Sequence, residues 1–203
     1  PAQLSTGCTW CVPLCSPVYT AGSSPELMQK PPIATTKGFP PVAREDARVL
    51  VLGSLPSRQS VQAGEYYAHP RNAFWTIMRE IAGAAGDYRS RCRALQERGI
   101  ALWDVLSSSV RPGSLDADID MASAVPNDFE RFFADHPQLR LVCFNGRKAE
   151  EMLRRFVQPG LPIEGLEFVV LPSTSPAHAA LTVAAKLASW RGIIEPGLNG
   201  ERT

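Results

Sequence analysis

Four consecutive aliphatic residues, Val49-Leu50-Val51-Leu52, run without a polar interruption into Gly53-Ser54-Leu55-Pro56-Ser57. Successive strand residues face opposite sides, so an unbroken apolar run predicts a strand, 48–53, buried on both faces. That is the habit of a parallel sheet covered by helices. Gly53 and Pro56 end the run and bring two hydroxyls with them. A polar loop then reaches Tyr66-Tyr67-Ala68-His69-Pro70-Arg71-Asn72. The spacing of Phe74, Ile77, Met78 and Ile81 predicts a helix over 73–85, one apolar face turned inward. Two aromatics, a histidine, an arginine and an asparagine thus crowd between a strand end and a helix start. In parallel sheets ligands bind at such places, because backbone groups and helix dipoles point outward there.

The same alternation continues along the chain. A second helix is expected over 87–98, closed by Gly99, and Ile100-Ala101-Leu102-Trp103 reads as strand two. Asp104 opens a polar turn that includes residues 107–116. Asn127 is the expected cap of a helix to about 136, with Phe129, Phe132 and Phe133 inward. Strand three is 139–144, followed by a helix through Met152, Leu153 and Phe156 that stops by Pro159-Gly160. Strand four is 168–171. The last helix is placed from Pro176, a residue suited to a first turn, to about 192. Four apolar strands alternating with helices predict an α/β fold, a three-layer α/β/α sandwich around a short four-stranded parallel sheet. All strand ends then lie on one edge. Gly53–Ser57, Asp104–Ser109, Asn145-Gly146 and Ser173–Ser175 gather at one crevice.

Composition sets the limits of what this crevice can serve. The 203 residues suit one domain with spare sequence, and the formal net charge of +1 selects no partner. Arg outnumbers Lys, 17 to 4; arginine forks suit phosphates, but genomic base composition produces the same skew. Residues 1–45, rich in Pro, Ser, Thr and Gly, read as a flexible extension. Residues 46–195 form the domain and 196–203 a tail. No apolar run approaches the roughly 18 residues of a membrane span, and no signal-peptide pattern is present. A monomer in the cytoplasm, without a membrane partner, is expected. Of the five cysteines, Cys8, Cys11 and Cys15 are read as tail thiols, while Cys92 and Cys143 stand alone.

Several chemistries lack their residues. Phosphate-binding glycine loops and the Gly-x-Ser-x-Gly elbow are missing. His69, His136 and His178 have no zinc-ligand spacing, and no carboxylate pair of the sugar-hydrolase type is evident. No metal or cofactor is expected. What remains at the strand ends is neutral and aromatic. A flat, polar, uncharged group such as a nucleobase suits it: an extruded base needs a stacking face, donors and acceptors for its edge, and loops that grip the backbone.

Gly53-Ser54-Leu55-Pro56 followed by Tyr66-Tyr67-Ala68-His69-Pro70-Arg71-Asn72-Ala73-Phe74-Trp75, with Leu171-Pro172-Ser173-Thr174-Ser175-Pro176-Ala177 later, resembles the uracil-DNA glycosylase superfamily. The wording is closest to its hypoxanthine-DNA (deoxyinosine) glycosylases, and the likeness covers roughly Arg48 to Arg191. The resemblance implies hydrolysis of the bond between a deaminated base and deoxyribose, in DNA, during base excision repair. Its site would be assigned as follows. Asn72 and Ser54 are the catalytic candidates. The superfamily often carries a water-positioning Asp or Asn directly before the first-loop Pro; here Leu55 stands there, and the role passes to Asn72. An amide holds water through its carbonyl but is a poor base. Asn72 equally suits a helix cap, and the two roles can coexist. Tyr67 matches the aromatic that stacks on the flipped base, against the simpler reading of a rim aromatic; Tyr66 is read as core. Asp104, Asn145 and Gly53 fall in the base-binding set. Asp104 and Asn145 also suit turn or cap roles. Ser57, Arg71, Ser173, Thr174 and Ser175 are the DNA-backbone candidates, the last three beside a helix N-terminus. Several branches begin the second motif with His, where this chain has Ser173; His178 falls within the expected last helix. A mismatch-type uracil-DNA glycosylase, a catalytically weak damage-binding relative and a hydrolase of free nucleosides are the alternatives.

Overall fold

The strand at the centre of the molecule is Val49–Gly53, every residue buried. Its side chains alternate between two cores. Val49 and Val51 point into one, Leu50 and Leu52 into the other. A computed structural model of the chain describes residues 35–113, 115–157 and 164–201. In chain order its strands are β1 (Thr35–Lys37), β2 (Val49–Gly53), β3 (Ile100–Asp104), β4 (Leu106–Val110), β5 (Val125–Pro126), β6 (Leu141–Asn145) and β7 (Glu167–Leu171). The helices are α1 (Arg58–Ala63), α2 (Phe74–Ala82), α3 (Tyr88–Arg98), α4 (Phe129–Asp135), α5 (Arg147–Phe156) and α6 (Val183–Asn199).

The main sheet is parallel, in the order β3-β2-β6-β7. The four strands expected from sequence are the four found, and helices cover both faces. Phe74, Ile77, Met78 and Ile81 of α2, Leu95 of α3 and Trp190, Ile194 and Leu198 of α6 pack on one side. Phe129 and Phe132 of α4 and Met152 and Leu153 of α5 pack on the other. The three-layer sandwich is therefore as expected. Numbering only these four strands, the order is 2-1-3-4, so the direction of winding reverses between β2 and β6 while all four strands stay parallel. A crevice opens at the strand ends of such a switch point.

Some expectations need correction. The stretch read as a polar turn contains a strand: Leu106–Val110 pairs antiparallel with β1 and β5 in a second, three-stranded sheet. Residues 35–43 belong to the folded body rather than to a flexible extension. Val42 pairs with Leu102 through two 2.9 Å bonds, and the Phe39 carbonyl accepts from the Trp103 indole at 3.1 Å. This covers the outer edge of β3, which would otherwise offer unpaired backbone groups to any extended chain. Asp128, not Asn127, caps α4, its carboxylate accepting from Arg131 N; Asn127 instead donates to the Asp104 carbonyl at 2.8 Å. Phe133 is only partly buried. The last helix starts at Val183, capped by Thr182, and runs to Asn199 with Gly197 and Leu198 buried. Residues 196–199 are thus helix, not tail. Cys8, Cys11 and Cys15, residues 1–34 of the extension, Ser114 and the Pro159-Gly160 stop lie outside the described residues. No helix among the described residues is long and apolar enough to cross a membrane.

Deleting residues 1–45 strips Phe39, Val42 and Ala43 from the core and uncovers the β3 edge. Chemical denaturation of the shortened chain should show a loss of about 3 kcal/mol or more relative to the full chain.

Candidate active site

The ends of β2, β3 and β6 and the turn after β7 surround one cavity of about 350 Å³. That volume lies in the range of small-ligand sites. In sheet register Gly53 stands beside Asp104, and Asn145 beside Leu171. The sequence candidates Gly53, Ser54, Ser57, Tyr67, Asn72, Asp104, Asn145, Ser173, Thr174 and Ser175 all line it. Arg71 does not: it is exposed on the neighbouring loop, its N–H donating to His69 Nδ1 at 3.0 Å.

The first loop is laced to the second sheet by its carbonyls. Gly53 and Ser54 accept from the backbone N–H groups of Val105 and Leu106, at 2.9 and 3.1 Å. Leu55 and Pro56 accept from the guanidinium of Arg111. Gly53 is required by space rather than by backbone angle. A Cβ there would run into the Asp104 carboxyl and lie 2.9 Å from the Tyr67 hydroxyl. Both side chains converge on the gap that glycine leaves. Asp104 is only 3% exposed. Ser57 faces the cavity, but its hydroxyl is engaged: it caps α1 by accepting from Ser60 N at 3.2 Å and donates to Ser60 Oγ at 3.1 Å.

Tyr67 has φ of 54°, the left-handed region that a bulky residue enters only at a cost of roughly 1–2 kcal/mol. The outcome is a ring laid 4.1 Å from Phe74 at an interplanar angle of 26°. Phe74 supports one face of Tyr67 from the core side, forming a two-ring shelf. Tyr66 is buried, as expected, and its carbonyl accepts from the Trp75 indole at 2.8 Å. Burial, and then the charge of Asp104, push its phenol far above the ordinary tyrosine range, so its hydroxyl stays protonated and donates to the carbonyls of Phe39 and Pro40.

Asn72 does what a cap does: its Oδ1 accepts from Phe74 N at 3.0 Å. The formal cap position is Ala73, whose side chain contributes nothing. The bond fixes the amide plane at the cavity wall, and among the described residues no protein group accepts from Nδ2. The cap reading is met, and the same geometry keeps the amide at the cavity wall.

Asn145 and Thr174 hold each other. Asn145 Nδ2 donates to Thr174 Oγ1 and Thr174 N donates to Asn145 Oδ1, each at 2.8 Å. Thr174 is buried, and its carbonyl accepts from Ala73 N at 3.0 Å. These two candidates thus act as a fastening between β6, the second-motif turn and the start of α2. Ser173 Oγ accepts from Ser175 N at 3.2 Å, and Ser175 Oγ from Ala177 N at 3.3 Å, consecutive hydroxyl turns that shape the loop. Because α6 begins only at residue 183, the serines do not sit at its N-terminus. Besides those of α1 and α2, the helix start beside the cavity is that of α5, entered through Gly146 at φ 96°. Its first residues, Arg147 and Lys148, line the cavity, as do Arg111 and His178. Sequence reading missed the three cations, though Asn-Gly-Arg-Lys directly after a strand end was a signal. Beyond the cavity, Lys186 of α6 donates to the His178 carbonyl at 2.7 Å, and its burial lowers its pKa from the ordinary lysine value.

Such a cavity offers a flat ring a shelf, a buried carboxyl edge, an amide at the wall and cations in its lining. Comparison with known proteins agrees with that chemistry. The family model described as the uracil DNA glycosylase superfamily matches residues 40–191. A hypoxanthine DNA glycosylase of Methanosarcina acetivorans is 39% identical over 145 residues, 70% of this chain and 87% of that protein. One from Methanosarcina barkeri is 37% identical over the same shares. The solution NMR structure of a candidate uracil DNA glycosylase from Methanosarcina acetivorans superposes with a TM-score of 0.63 at 35% identity, covering 78% of this chain and 98% of that one. The chain belongs to the uracil DNA glycosylase superfamily.

Proposed function

We propose that the chain is a monofunctional hypoxanthine-DNA glycosylase. It takes a deaminated base out of the duplex into the cavity and hydrolyses its N-glycosidic bond, initiating base excision repair. The observation that carries this reading is the meeting of the two motifs. Tyr67 and Asn72 share one hollow with Ser173–Ser175, joined by the bond from Ala73 N to the Thr174 carbonyl. Monofunctional action needs water as nucleophile and no covalent enzyme intermediate. DNA with a deaminated base is the partner, and the chain acts as a monomer.

Each wall has a task in this scheme. The extruded base lies on the Tyr67–Phe74 shelf, stacking worth about 1–3 kcal/mol. The Asp104 carboxyl at the Gly53 end accepts from an N–H of the base edge, which deaminated bases carry and adenine at the same ring position lacks. As the bond between base and sugar lengthens, its electron pair moves to the base and C1′ becomes cationic. Asn72 holds a water by its carbonyl; the water oxygen bonds C1′ and loses a proton to solvent. Asn72 is a poor base, so the rate rests on stabilising charge in the departing base and the sugar. The exposed Arg71, with Arg147 and Lys148 at the α5 N-terminus, takes the phosphates flanking the lesion. Ser54 borders the reacting sugar from the first loop.

One observation favours a second reading, a damage-binding relative with little turnover. The first-loop position before Pro56 is the buried, inert Leu55. Gel-shift binding beside cleavage on inosine, xanthine and uracil duplexes separates the readings. Metal-free excision of hypoxanthine by the unaltered protein supports the first, and tight binding without abasic sites supports the second.

Two variants test the mechanism. Asn72→Ala should slow single-turnover excision of hypoxanthine by about 100-fold or more, while the loss of its capping bond costs only about 1 kcal/mol of stability. An undiminished rate would remove Asn72 from the chemistry. Tyr67→Ala should lower excision by roughly 10- to 100-fold through lost stacking, and Tyr67→Phe should retain most of it.

A further inference from the structure

The left-handed backbone of Tyr67 carries a population cost of roughly 5- to 30-fold against extended alternatives. Such a conformation persists only where its surroundings over-determine it. Two angles define it, φ and ψ, and each turns the residue against one of its two flanking planar peptide groups. Fixing both planes therefore fixes the conformation, and both are bonded to side chains from elsewhere. The Tyr66 carbonyl, in the plane before, accepts from the Trp75 indole at 2.8 Å. The Ala68 N–H, in the plane after, donates to Ser60 Oγ at 3.3 Å.

Each anchor is itself held. Ser60 lies in α1 at 2% exposure, and its hydroxyl oxygen also accepts from Ser57 Oγ at 3.1 Å. Its carbonyl accepts from Glu65 N at 3.1 Å, which ties α1 to the approach to the shelf. Trp75 packs edge-on against Tyr88 of α3 at 5.9 Å, with the Arg91 guanidinium 4.7 Å from its ring. Arg91 in turn pairs with Glu65 at 3.3 Å, and the Tyr88 hydroxyl accepts from Tyr66 N at 3.1 Å. Thus α1 holds the peptide after Tyr67, and α2, braced by α3, holds the peptide before it.

We infer that Ser60 and Trp75 are positioning residues for base excision: they keep the shelf formed before a base arrives and act on the reaction through Tyr67. The inference rests on the glycosylase reading. A preformed shelf spares the extruded base the cost of ordering it, so the stacking is realised in full as the base enters. With either bond removed, relaxed conformations that take the ring off Phe74 compete, and fewer bound complexes hold the base in place. One neutral hydrogen bond shifts such a balance about fivefold. The cations that take the phosphates in this scheme are untouched, so affinity for the duplex stays.

A double-mutant cycle separates action through Tyr67 from general support of the fold or direct contact with DNA. Single-turnover excision of hypoxanthine would be followed at saturating duplex for the unaltered protein, S60A, Tyr67→Ala and the double variant. S60A should slow excision about 5- to 10-fold in the unaltered background and less than about twofold in the Tyr67→Ala background. The half-saturating duplex concentration should stay within about twofold throughout. W75F, which deletes the indole N–H and keeps an aromatic ring, should give the same pattern. An equal S60A loss in both backgrounds overturns the inference, since Ser60 then acts on the DNA or the fold without Tyr67. So does an undiminished rate in S60A, or a loss seen only as weaker duplex binding. If S60A shows no cooperative thermal transition, W75F carries the cycle and the same outcomes decide. Failure of the unaltered protein to excise hypoxanthine would instead overturn the glycosylase reading.

Discussion

Thr174 is the residue on which the site depends. Its carbonyl takes the N–H of Ala73, while its own N–H and hydroxyl take both ends of the Asn145 amide. Three segments far apart in sequence meet at this one buried residue: the entry to α2, the end of β6 and the turn after β7. A buried polar group of this kind contributes about 1 kcal/mol per bond when made and costs more when left unmade. Position matters more here than the stability. The knot fixes the Tyr67–Asn72 segment directly against the second motif, beside the looser link through Trp190, which meets Phe74 edge-on and donates to the Pro172 carbonyl.

The sheet was legible because three of its strands, β2, β3 and β6, are buried on both faces and read as nearly unbroken apolar runs. Val49–Leu52 and Ile100–Trp103 could hardly be anything else. The second sheet was not legible. β4 reads Leu106-Ser107-Ser108-Ser109-Val110, and three serines in a row look like a turn until a partner strand supplies the hydrogen bonds. The start of α6 was misplaced for a related reason. Pro176 suits a first helical turn, yet the hydroxyls of Ser173 and Ser175 bond the backbone two residues on and hold it in turns. Asn127 likewise looked like a cap until its amide found the Asp104 carbonyl.

The same distinction divides the site. Gly53, Tyr67, Asn72 and Asp104 sit at strand ends and a helix entry, positions that follow from the alternation of elements alone. Arg111 follows a strand that periodicity did not reveal, so its burial could not be foreseen. Asn145 and Thr174 were visible as polar residues in the right place, but not as partners of each other. Pairing across 29 residues is a property of the fold.

The shelf shows how backbone strain and packing are joined. Tyr67 adopts a left-handed backbone that its Cβ disfavours, and Phe74 stacks beneath it. In an extended conformation at 67, consecutive tyrosines would lie on opposite sides of the chain. The left-handed turn instead leaves Tyr66 in the core and lays Tyr67 over Phe74 with its hydroxyl at Gly53. A glycine at 67 would relieve the backbone and remove the ring, and a side chain at 53 would displace both the hydroxyl and Asp104. The two positions therefore constrain each other: the smallest residue stands where the shelf and the buried carboxyl must meet, and the bulky one accepts the strain of reaching it.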